Sequence, residues 1–451
     1  MNPKICMIGG GSYGWSPKLV RDILVAPPLQ EAEFRLLDLD LNAARTIAAV
    51  GKRYCREWRL DATFRALKNA DRALDGADFV VITISTGGLD AMAHDLRIPE
   101  RYSIFQTVGD TVGPGGWSRS LRNIPVFADL GRKIAKRCPR AFVLNYTNPM
   151  AALTKTLTLV TSQPIVGLCH GVFENYRHLA DVFGLERPED ICARYAGVNH
   201  FFWMLDFAVR GEPGYPLLRR KLRGGRTLDG LIRESHADEA GHRSLRRLVS
   251  SEMFETLGYL PYLGDRHICE FVGRYATDRK RLAAYALHRT TIAERRRALL
   301  RNKRRAEALA AGKAPLESQR SRETAADIMA ARVERREFVD VMNLPNVGQV
   351  ANLPMGAVVE TAGVVNATGF APVMAGALPP QLLNLTIPHA VNQERIVEAG
   401  MEGDRGKALQ ALIADPLCAH LPVPRVRKMA DELLRANRPL LPQFFGTKKH
   451  R

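Results

Sequence analysis

The chain has 451 residues, 46% hydrophobic and 25% charged, an ordinary composition for a soluble protein with room for two domains. No apolar run approaches the ~18 residues of a membrane-spanning helix, no signal peptide is read ahead of Lys4, and seven scattered cysteines without CxxC spacing fit a reducing cytoplasm. The formal charge of +18 raises nucleic-acid binding, yet much of it is local, from Arg295 to Arg305 and in Lys448-Lys449-His450-Arg451, without interleaved aromatics. It reads as the solvated face of an Arg-rich helix, so neither nucleic acid nor membrane is an expected partner.

Residues 4 to 8 predict a strand, followed by a glycine turn and a helical pattern through Leu19, Val20, Ile23 and Leu24. This is the opening of a dinucleotide-binding unit, with GxGxxG spacing at Gly9, Gly11 and Gly14. Gly9, Gly10, Gly11 and Ser12 are expected to bring backbone N–H groups to a pyrophosphate at a helix N-terminus. A second strand, Glu33 to Asp38, ends in an acid that suits the adenosine ribose hydroxyls, so Asp38 points to NAD rather than NADP. The bland alternative is a glycine loop that only caps a helix.

A helix is predicted from Leu41 to Trp58, then a buried strand from Ala77 to Ile84. Ser85-Thr86-Gly87-Gly88 follows, a turn small enough for the cofactor to lie against. Residues 108–116 are too glycine-rich for an element interior and read as a loop over the site. A helix over 118–136, a strand over 141–145 and a helix from Pro149 to Leu159 continue the alternation. Ile165 to His170 reads as a buried strand delivering Cys169 and His170 to the carboxyl edge of the sheet, where ligands bind in α/β folds. Cys169 and His200 together offer a thiolate and an imidazole suited to Zn²⁺, Fe²⁺ or Mn²⁺; a packed structural cysteine is the competing reading.

Beyond Asn199 the pattern changes. Phe201 to Leu205 predicts a strand, and Gly258 to His267 packs two tyrosines, an acid, a base and an imidazole into ten positions. Residues 284–336 read as charged helices, 350–373 as strands and 407–440 as helical. The expected class is α/β: an N-terminal doubly wound, Rossmann-like parallel sheet (residues 1–198) with a C-terminal α+β lobe (residues 199–451).

Five signatures now stand in order: Ile8-Gly9-Gly10-Gly11-Ser12, Asp110-Thr111-Val112-Gly113-Pro114-Gly115-Gly116, Asn148-Pro149, Cys169-His170-Gly171-Val172 and Gly197-Val198-Asn199-His200. Together they resemble the NAD- and divalent-metal-dependent glycosidases of glycoside hydrolase family 4, an exception to two-carboxylate glycosidase chemistry. The resemblance implies oxidation of the sugar at C3 by NAD⁺, removal of the C2 proton, loss of the aglycone, addition of water and re-reduction.

It also implies residue roles. Cys169 and His200 match the ligands of the metal, most often Mn²⁺; Asn148 matches a binder of sugar hydroxyls; His170 matches the acid. The C2 base is expected to be Asp265, with Tyr259 or Tyr262 in reserve. Cys-His-Gly resembles the branch acting on α-linked uronic acids, so an acidic glycoside is the expected substrate and Arg266 and Arg119 are candidates for its carboxylate. Gly9, Gly10, Gly11, Ser12, Asp38 and Ser85 are the expected cofactor contacts, and a homodimer or homotetramer the expected assembly. A sulfonated or neutral sugar is an alternative within the family. A dehydrogenase that releases NADH would explain Gly9 to Asp38 but not Cys169 with His200.

Overall fold

The computed structural model describes residues 2–235 and 246–446; the basic cluster at 448–451 lies outside them. The described strands, in chain order, are β1 (Lys4–Ile8), β2 (Glu33–Leu37), β3 (Thr63–Leu67), β4 (Phe79–Ile82), β5 (Phe142–Asn145), β6 (Ile165–Gly167), β7 (Ile191–Val198), β8 (Phe201–Val209), β9 (Glu212–Pro213), β10 (Leu260–Pro261), β11 (Phe338–Pro345), β12 (Val358–Val365) and β13 (Phe370–Pro372). They join in one mixed sheet. Its parallel half runs β3-β2-β1-β4-β5-β6 and its antiparallel half continues β11-β12-β7-β8-β10.

The parallel strands are short apolar runs because helices cover both faces. β4 and β5 are buried along their whole length. One face is closed by the helices Gly113–Arg137 and Val423–Ala436, the other by Ser16–Val25, Leu41–Trp58 and Ala325–Glu334. Strand order reverses at β1, which has β2 on one side and β4 on the other. At such a switch point the strands' carboxyl ends leave a crevice. The loops after β1, β2 and β4 open there, so the fold places the glycine loop, Asp38 and Ser85 at its rim.

The two halves meet at narrow junctions. Asn343 of β11 pairs with Gly167 of β6, and Glu360 of β12 with Gly197 of β7. The expected boundary at residue 198 falls at the end of β7, inside the hairpin that β7 makes with β8.

Three expectations are corrected. The loop over 108–116 ends early, because a helix begins at Gly113. The glycines there serve close packing: a Cβ on Gly116 would stand 2.4 Å from the Thr111 backbone. The strand expected to run to His170 stops at Gly167, so Cys169 and His170 sit on a loop before the helix Gly171–Phe183. The strands expected over 350–373 begin earlier, with β11 at Phe338.

β11 carries a buried acid, Asp340, whose Oδ2 has no partner among the described residues. Burial, with the like charges of Asp327 and Glu323, pushes its carboxyl up to about 7, against hydrogen bonds from Thr324 and the Val341 amide. The unfolded value is about 3.9, so between pH 4 and 7 the folded chain holds a proton that the unfolded chain has lost. Stability from this group therefore falls as pH rises through that window. Asp340→Asn should remove that loss, raising Tm at pH 8 by more than at pH 5. An equal Tm change at both pH values would contradict the assignment.

Candidate active site

The dinucleotide crevice is built by close packing. Gly9 takes φ +84°, and a Cβ there would stand 2.4 Å from the Thr83 carbonyl; one on Gly11 would stand 2.7 Å from Ala43 Cβ. Asp38 accepts from the Gly11 amide and the Asp40 amide, each 2.9 Å away, which fixes the acid at the rim. Ser85 is exposed on the opposite rim. The next turn is pinned by a buried bidentate pair, Arg122 on Asp95 at 2.9 and 2.5 Å, whose Nε also donates to the Thr86 carbonyl. Glycine backbone at a helix start, with an acid across from it, fits an adenine dinucleotide.

Next to this crevice the structure assembles a trio not foreseen from sequence. Ligand atoms of Asp110, His200 and His267 lie within 4.8 Å of one another. His200 ends the two-residue turn between β7 and β8 and takes φ +66°, a region costly for a residue with a side chain. Gly197 lets that turn close, since a Cβ there would meet the Phe201 carbonyl at 2.3 Å. The Thr111 hydroxyl donates to Asp110 at 2.8 Å and lies 2.9 Å from His200 Nδ1. With its one proton spent on Asp110, the hydroxyl accepts from Nδ1–H, leaving Nε2 of His200 as the free ligating nitrogen.

Asp110 is held by its loop. Glu270, buried beneath it, accepts from the Gln106 amide, the Thr107 hydroxyl and the backbone N–H groups of Val108 and Gly109. Burial opposes ionisation of Asp110, while the two imidazoles when protonated, the charge of Arg119 and the Thr111 hydroxyl favour it and leave the carboxyl below its usual range. Burial drives both imidazoles the other way, toward the neutral form that binds metals. Two neutral imidazoles and a carboxylate make a mixed nitrogen and oxygen set that suits a first-row divalent cation.

Other expected residues fall around the trio. Asn148, joined to Pro149 by a cis peptide, donates to Asp110 at 3.4 Å, and its own Oδ1 is buried without a partner among the described residues. Arg119 spends Nε on the Asn148 carbonyl at 2.8 Å and makes no ion pair among the described residues. The Tyr262 ring stacks on His200 at 6.0 Å, and its hydroxyl donates to Glu174 at 3.1 Å. His170 stands exposed at the mouth, 3.6 Å from Glu323 and 6.3 Å from the Trp15 ring.

Four expectations meet a different geometry. Cys169 is outside the trio; its thiol lies toward Asn199 and is pushed up by burial and by Glu360. Asp265 does not face the trio: its carboxylate caps the helix Leu248–Leu257, accepting from the amides of Val249 and Ser250 and from the Ser250 hydroxyl. Tyr259 packs edge-on against Tyr215 instead. Arg266 is spent on the carbonyls of His288 and Thr107 and on the Thr290 hydroxyl.

Arg295 belongs to the run expected to form a solvated face, but it reaches inward to the Val108 carbonyl at 2.8 Å, with Nε buried and unpartnered among the described residues. Asp110 and His267 lie inside the two segments 108–116 and 258–267, but neither carries a recognisable role in the sequence. Their spacing of 157 positions carries no ligand pattern; only the fold joins them.

The sequence model of the family 4 glycosyl hydrolases matches residues 4–185, and that of the family's C-terminal domain matches residues 195–418. The chain belongs to glycosyl hydrolase family 4. Within this family it is 36% identical to the α-galacturonidase of Bacillus subtilis (strain 168), over 92% of this chain and 93% of that one. The crystal structure of LplD from Bacillus subtilis superposes with a TM-score of 0.86 at 32% identity, covering 96% of this chain and all of that one. The Thermotoga maritima 6-phospho-β-glucosidase, solved with manganese, NAD⁺ and glucose-6-phosphate, shares the fold at TM-score 0.78 and 22% identity, over 97% of this chain and 99% of that one. The family 4 fold thus accounts for both halves of the sheet, and no helix among the described residues is long and apolar enough to cross a membrane.

Proposed function

We propose that this family 4 glycosidase hydrolyses α-D-galacturonides in the cleft between the glycine loop and the Asp110, His200 and His267 trio, using NAD⁺ and a divalent cation such as Mn²⁺. The observation that carries the reading is the trio itself, set beside Tyr262, Asn148 and two arginines, Arg119 and Arg295, that make no ion pair among the described residues. When bound, NAD⁺ and the cation supply a hydride acceptor and a Lewis acid, which make the sugar C2–H acidic and favour a phenolate nearby. His200, Asp110 and His267 would hold the cation, with Cys169 as the further ligand that the family resemblance implies.

The remaining roles follow from what each side chain still has to offer. Tyr262 is the base that takes the C2 proton, its ring packed against His200 and its own hydroxyl proton passing first to the Glu174 carboxylate that accepts it at 3.1 Å, whereas the Asp265 carboxylate is committed to a helix cap. Glu174 orients the Tyr262 hydroxyl. Asn148 Oδ1 accepts from a sugar hydroxyl, its amide side fixed by Asp110. His170, at the mouth, protonates the departing oxygen and keeps its imidazole placed through Glu323. Arg119 and Arg295 receive the C6 carboxylate. A planar guanidinium pairs with it bidentately, and identity to an α-galacturonidase supports the same anion. The protein is proposed to act in the cytoplasm as a homodimer or homotetramer, which sedimentation analysis tests.

The substrate reading is tested with matched aryl α-D-galacturonide and α-D-galactoside. A half-buried guanidinium left without its carboxylate costs up to the ~3–5 kcal/mol of a broken buried pair, so kcat/KM should differ by about 10²–10³ in favour of the uronide. Equal values would overturn the uronide assignment. Absorbance at 340 nm should stay flat through turnover; stoichiometric NADH release would favour a dehydrogenase.

A further inference from the structure

Apart from Arg295, the Arg-rich run has no role in this chemistry; it forms the helix Ile292–Ala310, which is anchored toward its two ends. At the first turn, Ile292 is buried against Met92, Ala93 and Leu96, and Arg296 pairs with Asp90 at 2.7 Å. At the last, Ala306 and Leu309 are buried in the core that holds Tyr54, and Arg53 donates to the Leu309 carbonyl at 2.7 Å. Between these anchors, every residue from Leu299 to Arg305 is exposed.

Helical spacing puts Ile292, Arg295, Leu299, Asn302, Ala306 and Leu309 on one face. The two ends of that face are buried, yet at its middle Leu299 is 48% exposed. A helix whose inward face is open only at its centre spans a gap. Beside this gap the helix meets the glycine loop: a Cβ on Gly14 would stand 3.3 Å from Asn302 Nδ2. The anchors are on the helices Gly88–Glu100 and Leu41–Trp58, which follow β4 and β2 and flank the dinucleotide crevice. Nineteen residues at ~1.5 Å each reach about 28 Å, enough to cross a bound dinucleotide.

We propose that the helix Ile292–Ala310 is a strap over the dinucleotide crevice, with Leu299 facing the cofactor and Asn302 at its edge, where the helix meets the glycine loop. Leu299 supplies an apolar contact and Asn302 an amide donor. The strap keeps the reduced cofactor in place between the two hydride transfers of one turnover. This rests on the crevice from Gly9 to Asp38 being the NAD⁺ site, and the test separates the two.

NAD⁺ and NADH affinities are measured by calorimetry, and NADH release by stopped-flow fluorescence, on the full chain. Leu299→Glu should weaken binding roughly tenfold or more and speed release in proportion. Leu300, 54% exposed and turned about 100° along the helix, is the matched control; Leu300→Glu should leave both values within about twofold. Asn302→Ala should weaken binding in the same direction as Leu299→Glu. All three sites are exposed, so Tm without cofactor should match wild type. Equal effects at 299 and 300 would overturn the strap. If Asp38→Ala weakens NAD⁺ binding while Leu299→Glu does not, the cofactor site stands and the strap alone falls. If Asp38→Ala leaves NAD⁺ binding intact, the crevice reading falls and the strap with it.

Discussion

Tyr262→Phe should lower kcat on an aryl α-D-galacturonide by at least about 10²-fold, the usual contribution of a positioned general base. The substitution removes one oxygen and leaves the ring that stacks on His200 at 6.0 Å and on Phe202 at 5.4 Å. Folding and cofactor affinity should therefore survive, and KM should change little. Asp265→Asn is the companion variant. It turns one of the two oxygens that accept from the Val249 amide and from Ser250 into an NH₂ that cannot accept, and a buried donor left unpaired costs about 1–3 kcal/mol, seen as a lower Tm, while kcat stays within a few-fold of wild type. If Asp265→Asn proves the slow enzyme and Tyr262→Phe the normal one, the base is Asp265.

His200→Ala should have the larger consequence. It removes the nitrogen that Thr111 orients and leaves Asp110 and His267 as an incomplete site. Mn²⁺ affinity, read by paramagnetic resonance titration, should fall by at least about 10², since even an outer partner of a ligand can be worth that much. A Lewis acid contributes several kcal/mol to such a reaction, so kcat/KM should fall by about 10³ or more. Asp110→Asn should weaken Mn²⁺ in the same direction. Cys169→Ser decides the fourth ligand: weaker Mn²⁺ binding places the thiolate on the metal, and unchanged binding confines the site to the trio. Retained Mn²⁺ affinity in His200→Ala would contradict the metal site altogether.

Much of the fold was legible because local patterns and tertiary demands agreed. β1, the glycine turn and the helix Leu41–Trp58 fall where alternation and glycine spacing place them. The helix Pro380–Glu402 escaped notice because Pro388 interrupts it, yet it packs so closely that a Cβ on Gly400 would stand 2.5 Å from Ile124. At the site, His200 and Asn148 were readable from their motifs. Asp110 was hidden inside a motif read as a loop, and its importance comes from Glu270, 160 positions away, which ties that loop down. Asp265 and Tyr262 could not be told apart by spacing, because three residues decide whether a side chain faces His200 or a helix end. Arg295 was masked by the arginines that follow it.

The central claim is that Tyr262 removes a proton from C2 of an acidic sugar at this metal site. Hydrolysis of an aryl α-D-galacturonide carrying deuterium at C2, with NAD⁺ and Mn²⁺ present, tests it most directly. A primary isotope effect on kcat/KM is expected in the wild-type enzyme. A rate identical to that of the protium substrate, with Tyr262→Phe as active as wild type, would contradict it and leave direct displacement at C1.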